Sequence, residues 1–483
     1  MWEGDAKLMK ICFVQKNAMA NFGVMSIAGH LGRTRHQVSV VIDDLERNPI
    51  HAIRAAAPDI IGLTVVSPEH SWLVRRCGEI KRALPRTPII IGGVHAIMYP
   101  EILSETAADL LCRSEGETVV QGVLDRLSET GDLDALEGIP GLVHREGFEP
   151  GAGLVQSPMP SLLDEITWED DGSIYYDNYP VLARDGMKQF LSQRGCPYDC
   201  AFCYNSLIKK RFRGTGNYLR RKGPELFVNE IARLVGRYGA RFVCIYDDLF
   251  TSDKAWLSEF AAFYRERVNV KYLCQIRANH TDEDSVALLA ESGCFTACVG
   301  LETGNEELRR DVLNKRITNE QLLHVGDLVN RYGINLKTGN MFGVPTETVE
   351  QAFETIELNM RIGTKFVGCG MLLPFPGTEI ERVALEQGWL DAPLDYKNLP
   401  ASAYDESIFK APQIETLTNI MSIAQLAVFA PWLLPMLRRL VCIRCRPLFR
   451  LIHFSTLTLR FVHERNLGLL QGAAFLWRFR KNL

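Results

Sequence analysis

Short continuous apolar runs at Lys10–Val14, Gln37–Ile42, Ile60–Val65, Pro88–Gly92 and Leu110–Cys112 read as strands buried on both faces. Between them the apolar period lengthens to that of helices near Val24–Leu31, His51–Ala56, Ser71–Leu84 and Pro100–Glu105, and a further helix follows at Thr118–Leu127. Strands alternating with helices predict an α/β fold with a doubly wound parallel sheet over residues 1–130. Residues 131–185 lose both periods and gain Gly, Pro and acidic residues, so a linker is expected there. Within it, Leu142–Arg145 reads as one strand of a small hairpin. The alternation resumes over residues 186–385, with strands at Gln189–Ser192, Phe242–Tyr246, Tyr272–Gln275, Ala297–Leu301, Leu336–Phe342 and Phe366–Leu372. Pro224 opens and Gly239 closes one intervening helix, and Thr318 with Gln321 forms a capping box. Six strand–helix units predict a partial (β/α)6 barrel, and residues 386–483 turn helical.

Composition adds bounds. The 483 residues suit two or three domains, and a net charge of −4 gives no reason to expect a nucleic-acid partner. The opening run Met1-Trp2-Glu3-Gly4-Asp5 has no basic stretch ahead of an apolar one, so no signal peptide is expected and a reducing, cytoplasmic compartment is. Most of the 13 cysteines sit in apolar contexts and read as small core groups. Cys442 and Cys445 have metal-like spacing but no second ligand pair nearby.

Three cysteines differ from the rest. Cys196, Cys200 and Cys203 are spaced C-x3-C-x2-C, with Phe202 just before the last. Three thiolates on one tight loop hold three irons of a 4Fe–4S cluster and leave the fourth open to a small molecule. A zinc site would want a fourth protein ligand, and none lies close in sequence. The run resembles the signature of the radical S-adenosylmethionine (SAM) superfamily. That resemblance implies that the open iron takes the methionine part of SAM, and that reduction gives a 5′-deoxyadenosyl radical. It also implies an electron donor such as flavodoxin or ferredoxin. Carried along the chain, it assigns cofactor contacts to Phe202 and to the strand ends. Asp247 or Asp248 would meet the SAM amino group, Arg277 its carboxylate or a substrate anion, and Glu302 the ribose hydroxyls.

The first sheet has its own candidate site. Its strand ends carry Ser67-Pro68, Gly92-Gly93-Val94-His95 and Glu115-Gly116-Glu117. Ligands of such sheets bind at the carboxyl ends of the strands, and glycines let the backbone approach closely. These segments resemble the cobalamin-binding domain that precedes many radical SAM barrels. The resemblance implies cobalamin contacts at Ser67, Gly92, Gly93, Glu115 and Gly116. The D-x-H-x-x-G motif is absent, and Gln15 to Gly23 stand in its place, so cobalamin held without a histidine from that position is implied. The alternative is a domain that keeps the fold and binds no cobalamin. His95, without a partner in sequence, is expected to pack or hydrogen-bond.

At the other end, Asn419 to Leu437 carries no charge but is interrupted by Pro431 and Pro435, and arginines interleaved with aromatics follow it. Peripheral contact with an anionic membrane and a helical cap over the barrel are equal expectations there. The resemblances together imply a cobalamin-dependent radical SAM enzyme. It would methylate an unactivated carbon of a small, apolar or natural-product substrate. Cyclisation, oxidation or rearrangement without methyl transfer is one alternative, and a non-catalytic cobalamin or redox sensor is the other.

Overall fold

A computed structural model describes residues 7–148, 162, 165–399 and 407–464. The first sheet contains β1 (Lys10–Gln15), β2 (Gln37–Ile42), β3 (Ile60–Thr64), β4 (Ile89–Gly92), β5 (Leu110–Cys112) and β6 (Leu142–His144). Their order is β2-β1-β3-β4-β5-β6. Strands β1 to β5 pair in parallel, as expected. Both faces are covered: Ile11 and Phe13 pack into one core, while Cys12 and Val14 between them pack into another.

The expected hairpin at Leu142–Arg145 is corrected. Those residues form β6, which pairs antiparallel with β5 and closes the edge of the first sheet. The sheet therefore runs past the expected boundary at residue 130. The pairing joins residues some 30 positions apart, which local periodicity cannot register.

The connector then packs between the two sheets. Trp168 donates its indole N–H to Ser26 Oγ (2.9 Å), and the Tyr175 hydroxyl donates to Gln15 Oε1 (2.5 Å). Tyr175, Tyr176 and Tyr179 belong to one apolar core that takes in side chains from both sheets.

The second sheet contains β7 (Met187–Phe190), which starts and ends two residues earlier than expected. A short antiparallel pair follows, β8 (Gln193–Arg194) with β9 (Arg220–Arg221). Then come β10 (Phe242–Ile245), β11 (Tyr272–Ile276), β12 (Cys294–Glu302), β13 (Asn335–Phe342) and β14 (Phe366–Met371). The order β14-β13-β12-β11-β10-β7, parallel throughout, is the expected six-stranded partial barrel. Helix Ile414–Phe429 covers the open edge at β14, where Gln425 Oε1 accepts the Val367 N–H (2.7 Å). Covering an edge strand in this way satisfies its unpaired backbone groups. Helices Leu434–Leu440 and Arg446–Glu464 complete the described carboxy-terminal part. Arg465, Arg478, Arg480, Lys481, Phe475, Trp477 and Phe479 of the expected basic segment lie outside the described residues. Among the described residues, no helix is long and apolar enough to cross a membrane.

Candidate functional site

The carboxyl ends of the two sheets meet across a cavity of about 480 Å³. Leu63, Ile90, Gly92, Gly93, Glu115 and Gly116 line it from the first sheet, and Leu191, Gly195, Asn205 and Asp248 from the barrel.

On the first side the backbone is tightly constrained. Gly93 has φ of 93°, and a Cβ there would sit 2.9 Å from Thr64 Oγ1 and 3.0 Å from the Val65 nitrogen. A Cβ on Gly116 would come within 2.5 Å of Ile27 Cδ1. Only glycine fits either place without displacement. Around this cradle, Ser114 Oγ and Gln193 Oε1 are buried, line the cavity and have no protein partner. Apolar walls with unmatched polar atoms at the rim suit a broad ligand carrying polar substituents. Ser67, by contrast, lies off the cavity wall and pairs with His95 Nδ1 (2.9 Å). His95 also meets His70 (3.3 Å), and burial pushes His95 down to about 4, so it is neutral near pH 7. That is the hydrogen-bonding role expected of it. Gln15, at the head of the segment that replaces the histidine motif, donates to the Asn17 and Met19 carbonyls (2.7 and 2.6 Å) and so shapes that loop.

On the barrel side, the loop after β8 carries the three cysteines, none of them in a disulfide. Gly195 (φ 85°) turns the chain into the loop, where a Cβ would lie 2.3 Å from the Tyr218 carbonyl oxygen. The Ala201 N–H donates to Leu313 O (2.9 Å), and Ala201 O accepts from the Ile380 N–H (3.0 Å). Phe202 packs on the core beneath the carboxy-terminal helices. Burial raises the Cys196 thiol and pushes Cys203 up to about 11, and the neighbouring Cys200 raises both further. Among the described residues, no group of three or more Cys, His, Asp or Glu side chains gathers as a single metal ion requires. A cluster has a different need, since each thiolate takes a separate iron. The donor set fits a 4Fe–4S cluster with one open corner.

The neighbouring strand ends separate the expected residues. Asp247 is fully buried, and its carboxylate accepts from the Ser192 N–H (2.6 Å), the Gln193 N–H (3.1 Å), the Ser192 hydroxyl and Arg221 Nη2 (3.1 Å). Four donors occupy both oxygens, and Asp247 staples the loop after β7. Asp248 lines the cavity instead, held by Asn205 Nδ2 at 2.8 Å, and burial raises its pKa above the ordinary carboxylate range. Arg277 and Glu302 lie off the cavity wall. The Arg277 guanidinium stacks on Tyr198 of the cysteine loop, 3.5 Å from the ring centroid, and its Nε donates to Asn279 (2.9 Å). Glu302 sits at a left-handed residue (φ 67°) with Oε1 on Lys315 Nζ (2.6 Å).

Several site residues were not visible in the sequence. Arg194, two positions before Cys196, pairs with Glu117 and Glu115 of the first domain, and Arg220 pairs with Glu115 at 2.9 and 2.5 Å. Burial favours neutral Glu117, but the guanidinium beside it wins and holds its pKa below the ordinary value. Lys222, also on the cavity wall, bridges Asp170 (3.0 Å) and Glu230 (2.6 Å). The only sequence signal was the basic run Arg220-Arg221-Lys222.

Comparison with known proteins now bears on this site. Residues 190–358 match the radical SAM superfamily, and residues 11–124 match the B12 binding domain. The chain belongs to the radical SAM superfamily. Its first sheet is a B12-binding domain, and the protein is a cobalamin-dependent radical SAM enzyme whose cofactors are a 4Fe–4S cluster, SAM and cobalamin. An uncharacterized methyltransferase of Pyrococcus horikoshii is 25% identical over 372 residues, covering 74% of this chain and 77% of its own length. The anaerobic magnesium-protoporphyrin IX monomethyl ester cyclase of Rubrivivax gelatinosus is 26% identical, over 71% of this chain and 61% of its own. In fold, this radical SAM protein is similar to the methyltransferase TsrM of Kitasatospora setae, solved with cobalamin and a 4Fe–4S cluster bound. The TM-score is 0.62 and the identity 20%, over 79% of this chain and 78% of that one.

Proposed function

We propose that this radical SAM enzyme is a C-methyltransferase. It acts on an unactivated carbon of a small, largely apolar substrate, a natural product or its precursor, held between the two domains. One observation carries the reading: a single cavity is walled by the glycine cradle of the B12-binding domain and by Gly195 and Asn205, which flank the cysteine loop of the barrel. When bound, the cofactors supply a 5′-deoxyadenosyl radical and a transferable methyl group. The chain supplies position. Cys196, Cys200 and Cys203 hold three irons, and Phe202 anchors their loop in the core. Asp248 accepts the amino group of SAM, and Asn205 fixes the orientation of that carboxylate. Arg277 meets the SAM carboxylate with its planar fork. Glu302 meets the ribose through the oxygen not engaged by Lys315. Gly92, Gly93 and Gly116 admit the corrin, Glu115 borders it, and Ser67 fixes the loop below through His95. The apolar walls keep solvent and other solutes away from reactive intermediates and so limit side reactions. Pro197 and Asp199 of the cysteine loop are exposed, which gives a flavodoxin- or ferredoxin-like donor its approach.

A second reading has one support: several relatives carry the name of a cyclase. Cyclase chemistry forms a ring and adds no methyl group. The two separate in an anaerobic turnover of the reconstituted enzyme with methyl-deuterated SAM, a reductant and candidate substrates. A product heavier by one labelled methyl group, with 5′-deoxyadenosine and S-adenosylhomocysteine, supports methyl transfer. 5′-Deoxyadenosine without a labelled product supports the second reading. No 5′-deoxyadenosine under reduction would leave only a sensor.

A further inference from the structure

Beyond β12 the chain makes one π-helical turn, Leu308–Val312, in which the Leu313 N–H reaches back five residues to Leu308 O (3.0 Å). Wide turns of this kind are rare and are frequent at functional sites. The three residues after it grip two different places. The Leu313 carbonyl accepts the Ala201 N–H (2.9 Å), and Asn314 Nδ2 donates to Asp199 O (2.7 Å). These two bonds bracket Cys200, the buried member of the cysteine triplet. Asn314 sits at φ 49°, a left-handed conformation that asparagine adopts more readily than most residues. Lys315 turns to the strand end instead. Its Nζ lies 2.6 Å from Glu302 Oε1, with the lysine side chain 8% and the glutamate side chain 12% exposed.

The pair lies over Gly300. A Cβ on that glycine would collide with both Lys315 Nζ and Glu302 Oε1, so its absence leaves the room that the pair fills. Glu302 is held at φ 67°, a costly conformation for a residue with a side chain, which persists only where its surroundings impose it. Arg309 supplies that constraint. Fully buried, it donates to Thr303 O (2.7 Å) beside Glu302, to Ile317 O (2.8 Å) and to Asn319 Oδ1 (2.5 Å). The Lys315 N–H in turn donates to Arg309 O (2.9 Å). One braced unit therefore runs from the backbone around Cys200 to the carboxylate of Glu302.

We propose that Leu313, Asn314 and Lys315 form a strut that couples the adenosine site to the cysteine loop, with Lys315 as the positioning residue for Glu302. A charge-assisted bond from the ammonium fixes one carboxylate oxygen and leaves the other to accept from the ribose. A ligand that orders Glu302 then orders the backbone on both sides of Cys200. By linkage, a loop fixed by its cluster tightens that ligand by the same factor. A segment that only packs would support the fold and carry no such coupling. The proposal rests on the reading of Glu302 as the ribose contact, and adds to it a positioning residue and a path to the cluster.

The probe is adenosine, which carries the ribose hydroxyls but lacks the methionine part of SAM. Equilibrium dialysis compares its binding to the cobalamin-loaded full chain with and without the cluster. The cluster should tighten adenosine about fivefold. Asn314→Gly suits the left-handed backbone and removes the bond to Asp199, so binding to the cluster-free chain should hold while the gain from the cluster shrinks to about twofold. Lys315→Met should weaken adenosine about tenfold even on the cluster-free chain, and Lys315→Arg should restore most of the loss. Unchanged cobalamin content would show that the variants are folded. A second nucleoside, 2′,3′-dideoxyadenosine, separates premise from proposal. If adenosine does not bind, or the dideoxy compound binds as well, Glu302 does not meet the ribose and the proposal falls with that reading. If binding needs the ribose hydroxyls but ignores the cluster, or if the gain survives both Asn314→Gly and Lys315→Met, Glu302 keeps its role and the strut is overturned.

Discussion

At the mouth of the first sheet the strand ends are glycine and serine, the walls are apolar, and the nearest histidine is held neutral by burial. At the mouth of the barrel the strand ends carry thiols, a carboxyl on the cavity wall and an arginine stacked on the cysteine loop. Both are six-stranded sheets, the first parallel except for its edge strand β6, with ligand sites at carboxyl ends. They differ in how they hold a cofactor. The first offers space, shaped by positions where a Cβ would clash. The second offers donors, each fixed by a second residue: Asp248 by Asn205, Arg277 by Tyr198, the β7 loop by Asp247. A preformed macrocycle is recognised by shape and rim contacts, whereas a cluster is assembled on its ligands. Shape sites tolerate loss of a single contact better than ligand sites do.

That contrast can be broken in graded ways. The largest effect is expected for Cys203→Ala, which should abolish 4Fe–4S assembly while cobalamin stays bound; iron and cobalt counts on one sample check it. Next is the join between the sheets. Glu117→Gln leaves Arg194 without its buried partner and should cost about 3 to 5 kcal/mol, read by thermal unfolding. Because Arg194 stands two residues before Cys196, the same variant should also loosen the cluster, seen as faster iron loss to a chelator. Gly93→Ala forces a side chain into a conformation costing about 1 to 3 kcal/mol, so cobalamin affinity should fall with iron content unchanged. The two aspartates come next: Asp248→Asn should weaken SAM binding with little change in melting temperature. Asp247→Asn should lower the melting temperature, because one amide cannot accept all four of its donors.

The smallest effect concerns Glu347, which accepts the Gly343 N–H (2.6 Å) in the loop after β13 and which burial pushes up to about 8. A raised carboxyl favours the fold fully below its unfolded value near 4.5 and loses that contribution as pH climbs toward 8. Glu347→Gln should flatten the decline in stability between pH 5 and 8, measured by denaturant midpoints (about that window).

Much of this was legible in the sequence where local pattern governs. Strands β2 and β5 run over the residues that their apolar runs marked, and the cysteine spacing named the cluster before any geometry was known. The unread parts depend on distant pairing. Strand β6 looked like a hairpin because its partner β5 lies beyond a helix. Asp247 and Asp248 are adjacent and chemically identical, and only the positions of Ser192 and Arg221 distinguish the staple from the cavity carboxylate. Glu117 and Arg194 are 77 residues apart, each unremarkable in its own segment. Composition did flag an unusual carboxy-terminal segment, with arginines interleaved among aromatics, but its burial was decided by packing of its last described helix against helix Ile414–Phe429 and β14.

The central claim is that cluster and cobalamin open onto one cavity. Anaerobic reconstitution followed by desalting, metal counting and electron paramagnetic resonance of the reduced sample tests it most directly. The account predicts one 4Fe–4S cluster and one cobalamin per chain, with the cob(II)alamin signal broadened by the nearby reduced cluster. Loss of cobalamin on desalting, or a cob(II)alamin signal indifferent to the state of the cluster, would contradict it.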